Sequence, residues 1–414
     1  MLSLVPRAAR YPAFAALQHP DFARYWFAVI LSLSGLWMRV MVVGWLVNDL
    51  THSPRLLGAV SFATAFPVLI VSPVAGLVAD RFDRRLVLLA TQALHGVVVG
   101  AIALLTALGV VQVWHLLVAS TVSGVISSFD WPARLSLVPR LVPAELMPNA
   151  VALNSAAFNA AGLLGPTIGG ILLPLIGAAW CLTIGALVFV PISLVLLTLR
   201  PLHEQDRGSG EPWLTNLANG YHYVMRDRTL SSLLLLELVP LIFGLTYSVL
   251  MPVRAETFAN GLGLPSARVL GWLMGAAAFG SLTGVLSVAG GFGARARGRA
   301  MMLAALTFGL LVVVFAQSPW LPLALLFVVG IGLADAAYAT LNGTLVQTTV
   351  DDAYRGRVMA LYSLLWGLTP IGSLEAGELA ARFGVPTTLT INGAIVVAFV
   401  ALLGLTRRHL WHLK

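Results

Sequence analysis

The chain has 414 residues, of which 58% are hydrophobic and only 10% charged, and its mean hydropathy is +0.89. Soluble domains carry about 25% charged residues, so lipid must be the solvent for much of this surface. The net charge of +8 does not indicate nucleic-acid binding, because no soluble basic domain is present to perform it; basic residues in such a chain mostly orient it in the bilayer.

Residues 1–20 carry Arg7 and Arg10 but lack a short apolar stretch with a small-residue cleavage site, so they do not read as a removable signal peptide. A membrane helix needs about 20 mostly apolar residues. Twelve such spans follow in order: 22–48, 56–79, 86–108, 114–130, 149–173, 178–199, 230–253, 269–290, 300–316, 320–345, 358–381 and 387–405.

With both termini inside and strict alternation, the inner segments hold 20 of the 25 basic residues, including Arg81, Arg84, Arg85, Arg134 and Arg357. The outer loops hold Arg55, Arg254, Arg268 and Arg382, and Arg39 falls within the first span. A miscounted helix would invert everything after it and scramble this bias, so the positive-inside rule supports twelve spans with cytoplasmic ends. The expected fold class is an all-α membrane protein with two six-helix halves, residues 1–199 and 230–414.

The halves are joined by a polar linker, 200–229. Gly208-Ser209-Gly210 reads as a flexible hinge. After it Trp213, Leu214, Leu217, Tyr221, Val224 and Met225 recur at helical spacing. They predict either a short amphipathic helix on the inner membrane surface or an ordinary connector.

Between the second and third spans, Gly76 to Arg85 packs Asp80, Arg81, Asp83, Arg84 and Arg85 into a tight turn. A weaker copy, 290–299, lies 214 residues later with Ala294 in place of Asp80. Leu137-Val138, Val142 and Ala152-Leu153 also recur as Leu345-Val346, Val350 and Ala360-Leu361, an offset of 208. These echoes predict a parallel duplication, the pattern of transporters built from two six-helix halves.

Asp130 and Arg134 are spaced i, i+4 and can pair on one helix face, with Pro132 between them liable to distort the turn. Gly165, Pro166, Gly169 and Gly170 in the fifth span combine a break in the helical ladder with room for close backbone approach. Ionisable residues inside a membrane are expensive and functional by default. Arg39, Glu237, Asp335, Glu375 and Glu378 are therefore candidates for proton coupling or substrate binding; a carboxyl shielded from water can take up a proton.

His95 and His115 are weaker candidates. The aromatics Trp26, Trp37, Trp45, Tyr247, Tyr338, Tyr362 and Trp366, with Asn154, Asn159 and Asn342, can line a cavity, although Trp and Tyr also favour membrane interfaces. Cys181 is the single cysteine, which excludes an internal disulfide and a multi-cysteine metal site. The single lysine, Lys414, follows no glycine-rich loop, so there is no P-loop and no ATPase. No catalytic constellation is present, so neither enzyme activity nor a cofactor is expected. No loop is long enough for a receptor domain.

The Gly76-x-x-x-Asp80-Arg81-x-x-Arg84-Arg85 loop, in a twelve-span layout, resembles the signature loop of the major facilitator superfamily. Trp45-Leu46-Val47, Leu50-Thr51-His52-Ser53-Pro54, Trp131-Pro132-Ala133-Arg134, Asn149 to Asn154 and Gly165-Pro166-x-x-Gly169-Gly170 resemble its enterobactin-exporter and macrolide/multidrug-efflux branch. The last segment is similar to the core of an antiporter motif, with Ala152 and Ala161 where the longer pattern has glycines; a plain packing kink is the alternative.

The resemblance implies alternating access without ATP and proton-driven export of small amphipathic molecules from a bacterial cytoplasmic membrane. Import or lipid movement is the alternative on the same fold. It further implies a cytoplasmic latch of Gly76, Asp80, Arg81, Arg84 and Arg85, with Asp130 and Arg134, in which Asp80 faces the start of the eleventh span near Arg357 and Arg134, from the end of the fourth span, is a candidate partner for it. The expected partners are a small-molecule substrate, protons and membrane lipid, with a monomer as the working unit.

Overall fold

The computed structural model describes residues 14–199 and 213–413, with side chains at 73, 74, 76, 77, 79–81, 213–218 and 353 left out. The described residues form helices joined by short turns, with no strand among them.

The first helices are α1 (Pro20–Thr51), α2 (Pro54–Arg81), α3 (Arg84–Ala107) and α4 (Val113–Leu137). Proline opens both α1 and α2, where its missing N–H is no loss. The Asp83 carboxylate caps α3 by accepting from the Arg85 backbone N–H at 2.9 Å. Despite Pro132, α4 is continuous.

Next come α5 (Met147–Leu187) and α6 (Phe189–Thr198). Inside α5 the chain turns at Gly177, whose φ of 79° suits glycine. Gly165 and Gly185 both abut residues 34–38 of α1; an unbroken helix would hold them about 30 Å apart. The chain therefore folds back at Gly177.

After the linker come α7 (Trp213–Arg226), α8 (Arg228–Val239), a π-turn (Pro240–Gly244), α9 (Thr246–Val249) and α10 (Met251–Leu262). Then follow α11 (Ser266–Ala289), α12 (Arg297–Ala316), α13 (Leu321–Thr349), α14 (Asp352–Leu365), a 3₁₀ turn (Trp366–Leu368), α15 (Thr369–Phe383) and α16 (Val385–Thr406).

Among the described residues ten helices are long and apolar enough to cross a membrane. Two features account for the difference from the twelve spans read in the sequence. The run Ala144–Thr198 counts once although it folds back at Gly177, and the interrupted segment α14–α15 does not meet the criterion.

Arg254 departs from the sequence reading. It is not in an outer loop: α8 to α10 continue past residue 253, and Arg254 is 5% exposed. Its guanidinium donates to the Ser318 carbonyl at 3.0 Å and lies 4.6 Å from the Phe258 ring centre. Helix propensity and a cation–π contact thus carry the helix through a charged position.

The linker helix α7 packs on α14. Tyr223 stacks on Tyr354 with ring centres 4.3 Å apart, and its hydroxyl donates to Asp351 at 3.0 Å. Gly220 and Val224 are buried, whereas Tyr221 and Met225 are exposed. Trp213, Leu214 and Leu217 of the expected apolar face, and the hinge at 208–210, lie outside the described side chains or residues.

Helices before and after the linker meet closely where small residues remove the side-chain barrier. A Cβ on Gly170 would lie 2.4 Å from Gly271 Cα, and one on Gly58 would lie 2.4 Å from the Ser373 carbonyl oxygen. Both contacts sit toward the end of the molecule that carries the α1–α2 turn.

Candidate functional site

Beneath that end lies a cavity of about 260 Å³. Its walls come from α1, α2 and α4 on one side, and from α9, α10, α11 and α15 on the other. Most of the lining is apolar, with Val43, Leu57, Val60, Leu270 and Met274. Arg39 also lines it, although the residue is 6% exposed overall.

Four polar contacts close the cavity at the α1–α2 end. Trp45 Nε1 donates to Ser266 Oγ at 2.9 Å, and Asn48 Nδ2 donates to Glu256. His52 Nδ1 stands 3.1 Å from Glu256, and Arg55 Nε is 2.7 Å from Glu378. Glu256 was not singled out in the sequence because it falls beyond the apolar run; the continuation of α10 brings it opposite α1.

Glu378 departs from the other acids. It is partly exposed and is held between Arg55 and Arg382, each with a 2.7 Å contact. Its contacts with Arg55 join α2 to α15 at this end through charge-assisted hydrogen bonds. Its neighbour Glu375 points elsewhere and accepts from Asn392 Nδ2 at 3.0 Å, while Asn392 also donates to Thr246 Oγ1 at 3.1 Å.

Glu237 is 1% exposed in α8. Asn342 Nδ2 donates to it at 2.9 Å and the Tyr338 hydroxyl at 3.2 Å, both from α13. Tyr362 of α14 lies close to it as well. Asp335, on α13, is close enough to interact electrostatically with Glu237 and with Tyr247. Glu237 and Asp335, read singly in the sequence, therefore lie near each other among tyrosines.

Asp130 and Arg134 pair as expected from their spacing, through Arg134 Nε and Asp130 Oδ2. Both are buried. Thr91 donates to Asp130 at 2.8 Å, Gln92 donates to it too, and Arg134 donates to Ser32 at 3.2 Å. The buried Tyr25 hydroxyl lies near Arg134 without a hydrogen bond among the described residues. This pair knits α1, α3 and α4 together. Its partners Thr91 and Gln92 carried no local sequence signal.

Arg85, at the start of α3, bonds to α6. It donates to the carbonyls of Leu199 at 2.6 Å and Leu197 at 2.9 Å, at the C-terminal end of α6. A cation there meets carbonyls that lack helical partners and the negative end of the dipole. Arg84 opens α3 beside it. Gly76, Asp80 and Arg81 lie outside the described side chains.

In the motif around Pro166, Gly165 abuts Ser34, Trp37 and Met38 of α1, Gly169 abuts Met38 and Met41, and Gly170 abuts Gly271. The Pro166 carbonyl faces Gly271 as well. Its residues thus fix how closely α5 approaches both α1 and α11.

A bundle of membrane-crossing helices with an interior cavity between two helix sets is the architecture of a multi-pass membrane transporter. Residues 11–411 match the transmembrane secretion effector family, and the chain belongs to this family of the major facilitator superfamily. The multidrug efflux pump Tap of Mycolicibacterium fortuitum is 27% identical over 376 residues, covering 87% of this chain and 90% of that protein. The enterobactin exporter EntS of Shigella boydii serotype 4 (strain Sb227) is 26% identical over 379 residues, covering 88% and 89%. The crystal structure of the nucleoside transporter NupG shares the fold, with a TM-score of 0.76 at 13% identity over 94% of this chain and 99% of that one.

Proposed function

We propose that the chain is a proton-driven exporter of small amphipathic molecules that works by alternating access. Residues 1–199 and 230–414 form the two moving halves, and 200–229 tether them. Both termini face the cytoplasm, with the α1–α2 turn on the outer side.

The observation that carries this reading is the cavity itself. It is walled by helices from both halves and closed at the α1–α2 end by contacts between them. Breaking the Glu256 and Glu378 contacts and closing the opposite end exposes the same lining to the outside. A membrane transporter needs that change and no chemistry. Asp80 and Arg81 close the cytoplasmic end in the outward-facing state by engaging the start of α14 near Arg357, since a carboxylate is favoured at a helix N-terminus. Glu237, with Asp335 beside it, carries the proton. The two relatives, an efflux pump and an exporter, favour export over import.

Purified protein in liposomes tests the reading. With a pH gradient imposed, it moves an amphipathic dye against its concentration gradient, and collapsing the gradient with an ionophore stops accumulation. Dye movement that ignores the gradient removes proton coupling.

A further inference from the structure

The cavity holds a cation and no anion. Arg39 is more than nine-tenths buried, lines the cavity and makes no hydrogen bond or ion pair among the described residues; its buried Nε has no partner. No aspartate or glutamate is among the described residues of the lining. A guanidinium drawn from water into an apolar chamber needs an opposite charge and acceptors for its N–H groups. Every other buried arginine with described contacts has them: Arg134 has Asp130 and Ser32, and Arg254 has carbonyls at the end of α12.

The hydroxyls around Arg39 divide by role. Thr64 and Ser248 donate to carbonyls of their own helices at 3.0 and 2.8 Å, which leaves only their lone pairs toward the cavity. Ser61 and Ser120 make no hydrogen bond among the described residues, so each can donate. Arg39 with two free hydroxyl donors, set in apolar walls, matches one headgroup chemistry.

We infer that the transported molecule is an amphipath with an anionic headgroup, a carboxylate or phosphate, that docks on Arg39 with Ser61 and Ser120 as auxiliary donors. The inference rests on the transporter reading above and narrows its substrate to one charge class. The arginine fork is shaped for bidentate binding of either oxyanion. The apolar walls take the tail. A cationic amphipath of the same size is repelled by the buried charge.

Binding to detergent-purified protein tests this without any gradient, direction or coupling. The probes are 11-(dansylamino)undecanoic acid and its methyl ester, which differ in charge and keep the tail. Affinity is read from the dansyl emission, and occupancy independently from the ligand-induced rise in melting temperature. The acid binds at least tenfold tighter than the ester. Arg39→Gln brings the acid down to the level of the ester and leaves ester binding unchanged, while Arg39→Lys keeps part of the preference.

Equal affinity for acid and ester in the wild-type protein overturns the inference, as does an acid affinity untouched by Arg39→Gln or no acid binding at millimolar concentration. If Arg39→Gln does not fold, the wild-type acid-to-ester ratio and its reduction in Ser120→Ala decide. Titration in phosphatidylcholine nanodiscs with and without phosphatidylglycerol identifies the source of the anion: competition by phosphatidylglycerol means a lipid headgroup occupies Arg39, and none means a soluble amphipath. Loss of gradient dependence in liposomes with the acid preference intact refutes proton coupling alone. The reverse pattern refutes the anionic headgroup alone.

Discussion

On α4, Asp130 is held by a charged partner, Arg134, with Thr91 and Gln92 adding donors. On α13, Tyr338 and Asn342 hold Glu237 of α8 with neutral groups. The offset of 208 residues read in the sequence aligns Asp130 with Tyr338 and Arg134 with Asn342. Equivalent positions thus carry a buried ion pair in one region and a buried neutral cradle in the other. An arginine is always protonated and fixes its carboxylate as the anion. A tyrosine hydroxyl can donate or accept, and the Asn342 Oδ1 is buried with no partner, ready to accept from a protonated Glu237. The first network suits one protonation state and the second accommodates two, so the first is fit for rigidity and the second for proton traffic.

The largest expected effect comes from breaking the ion pair. Arg134→Met leaves Asp130 buried without its counter-charge and costs about 3–5 kcal/mol, seen as a large fall in melting temperature of the purified protein. The double variant Asp130→Asn/Arg134→Met recovers much of the loss, because no uncompensated charge remains. A single variant that melts like wild type breaks the contrast between the two regions.

A smaller effect is expected from Tyr338→Phe, which deletes one donor to Glu237 and keeps Asn342. The loss is about 0.5–1.5 kcal/mol, the net value of one hydrogen bond, measured by the same unfolding assay. A loss as large as that of Arg134→Met would mean that Glu237 is permanently charged and depends on Tyr338 as Asp130 depends on Arg134.

Much of this was legible in the residues, for reasons specific to them. Long apolar runs and arginine placement marked the spans, since lipid leaves the backbone few alternatives to helix. The i, i+4 spacing of Asp130 and Arg134 was enough to pair them. What escaped were contacts made across the bundle. Nothing near Glu256 points to Asn48 and His52, some 200 residues away. Glu375 and Glu378 share a helix side by spacing, yet one meets α16 and the other α2. Arg85 sits in the charged loop but spends its donors on α6. Local pattern fixes which face a residue occupies; the partner on that face is set by packing of elements far apart in the chain.

The smallest expected effect on stability, and the sharpest on transport, belongs to Glu237→Gln. Glutamine keeps a carbonyl oxygen for Tyr338 and Asn342 and adds an N–H that the unpartnered Asn342 Oδ1 can accept. The variant imitates the protonated acid in shape and hydrogen bonding, so its stability stays within about 0.5 kcal/mol of wild type, the range of substitutions that break no named feature. It cannot release a proton. In liposomes it exchanges substrate across the membrane without a gradient but no longer accumulates it when the pH differs on the two sides. Retained gradient-driven accumulation moves the proton to Asp335 or Glu375, and the corresponding amides at those positions then separate the two. A variant that unfolds instead refutes the neutral cradle, because a group that is stable only as the anion cannot be replaced by its uncharged isostere.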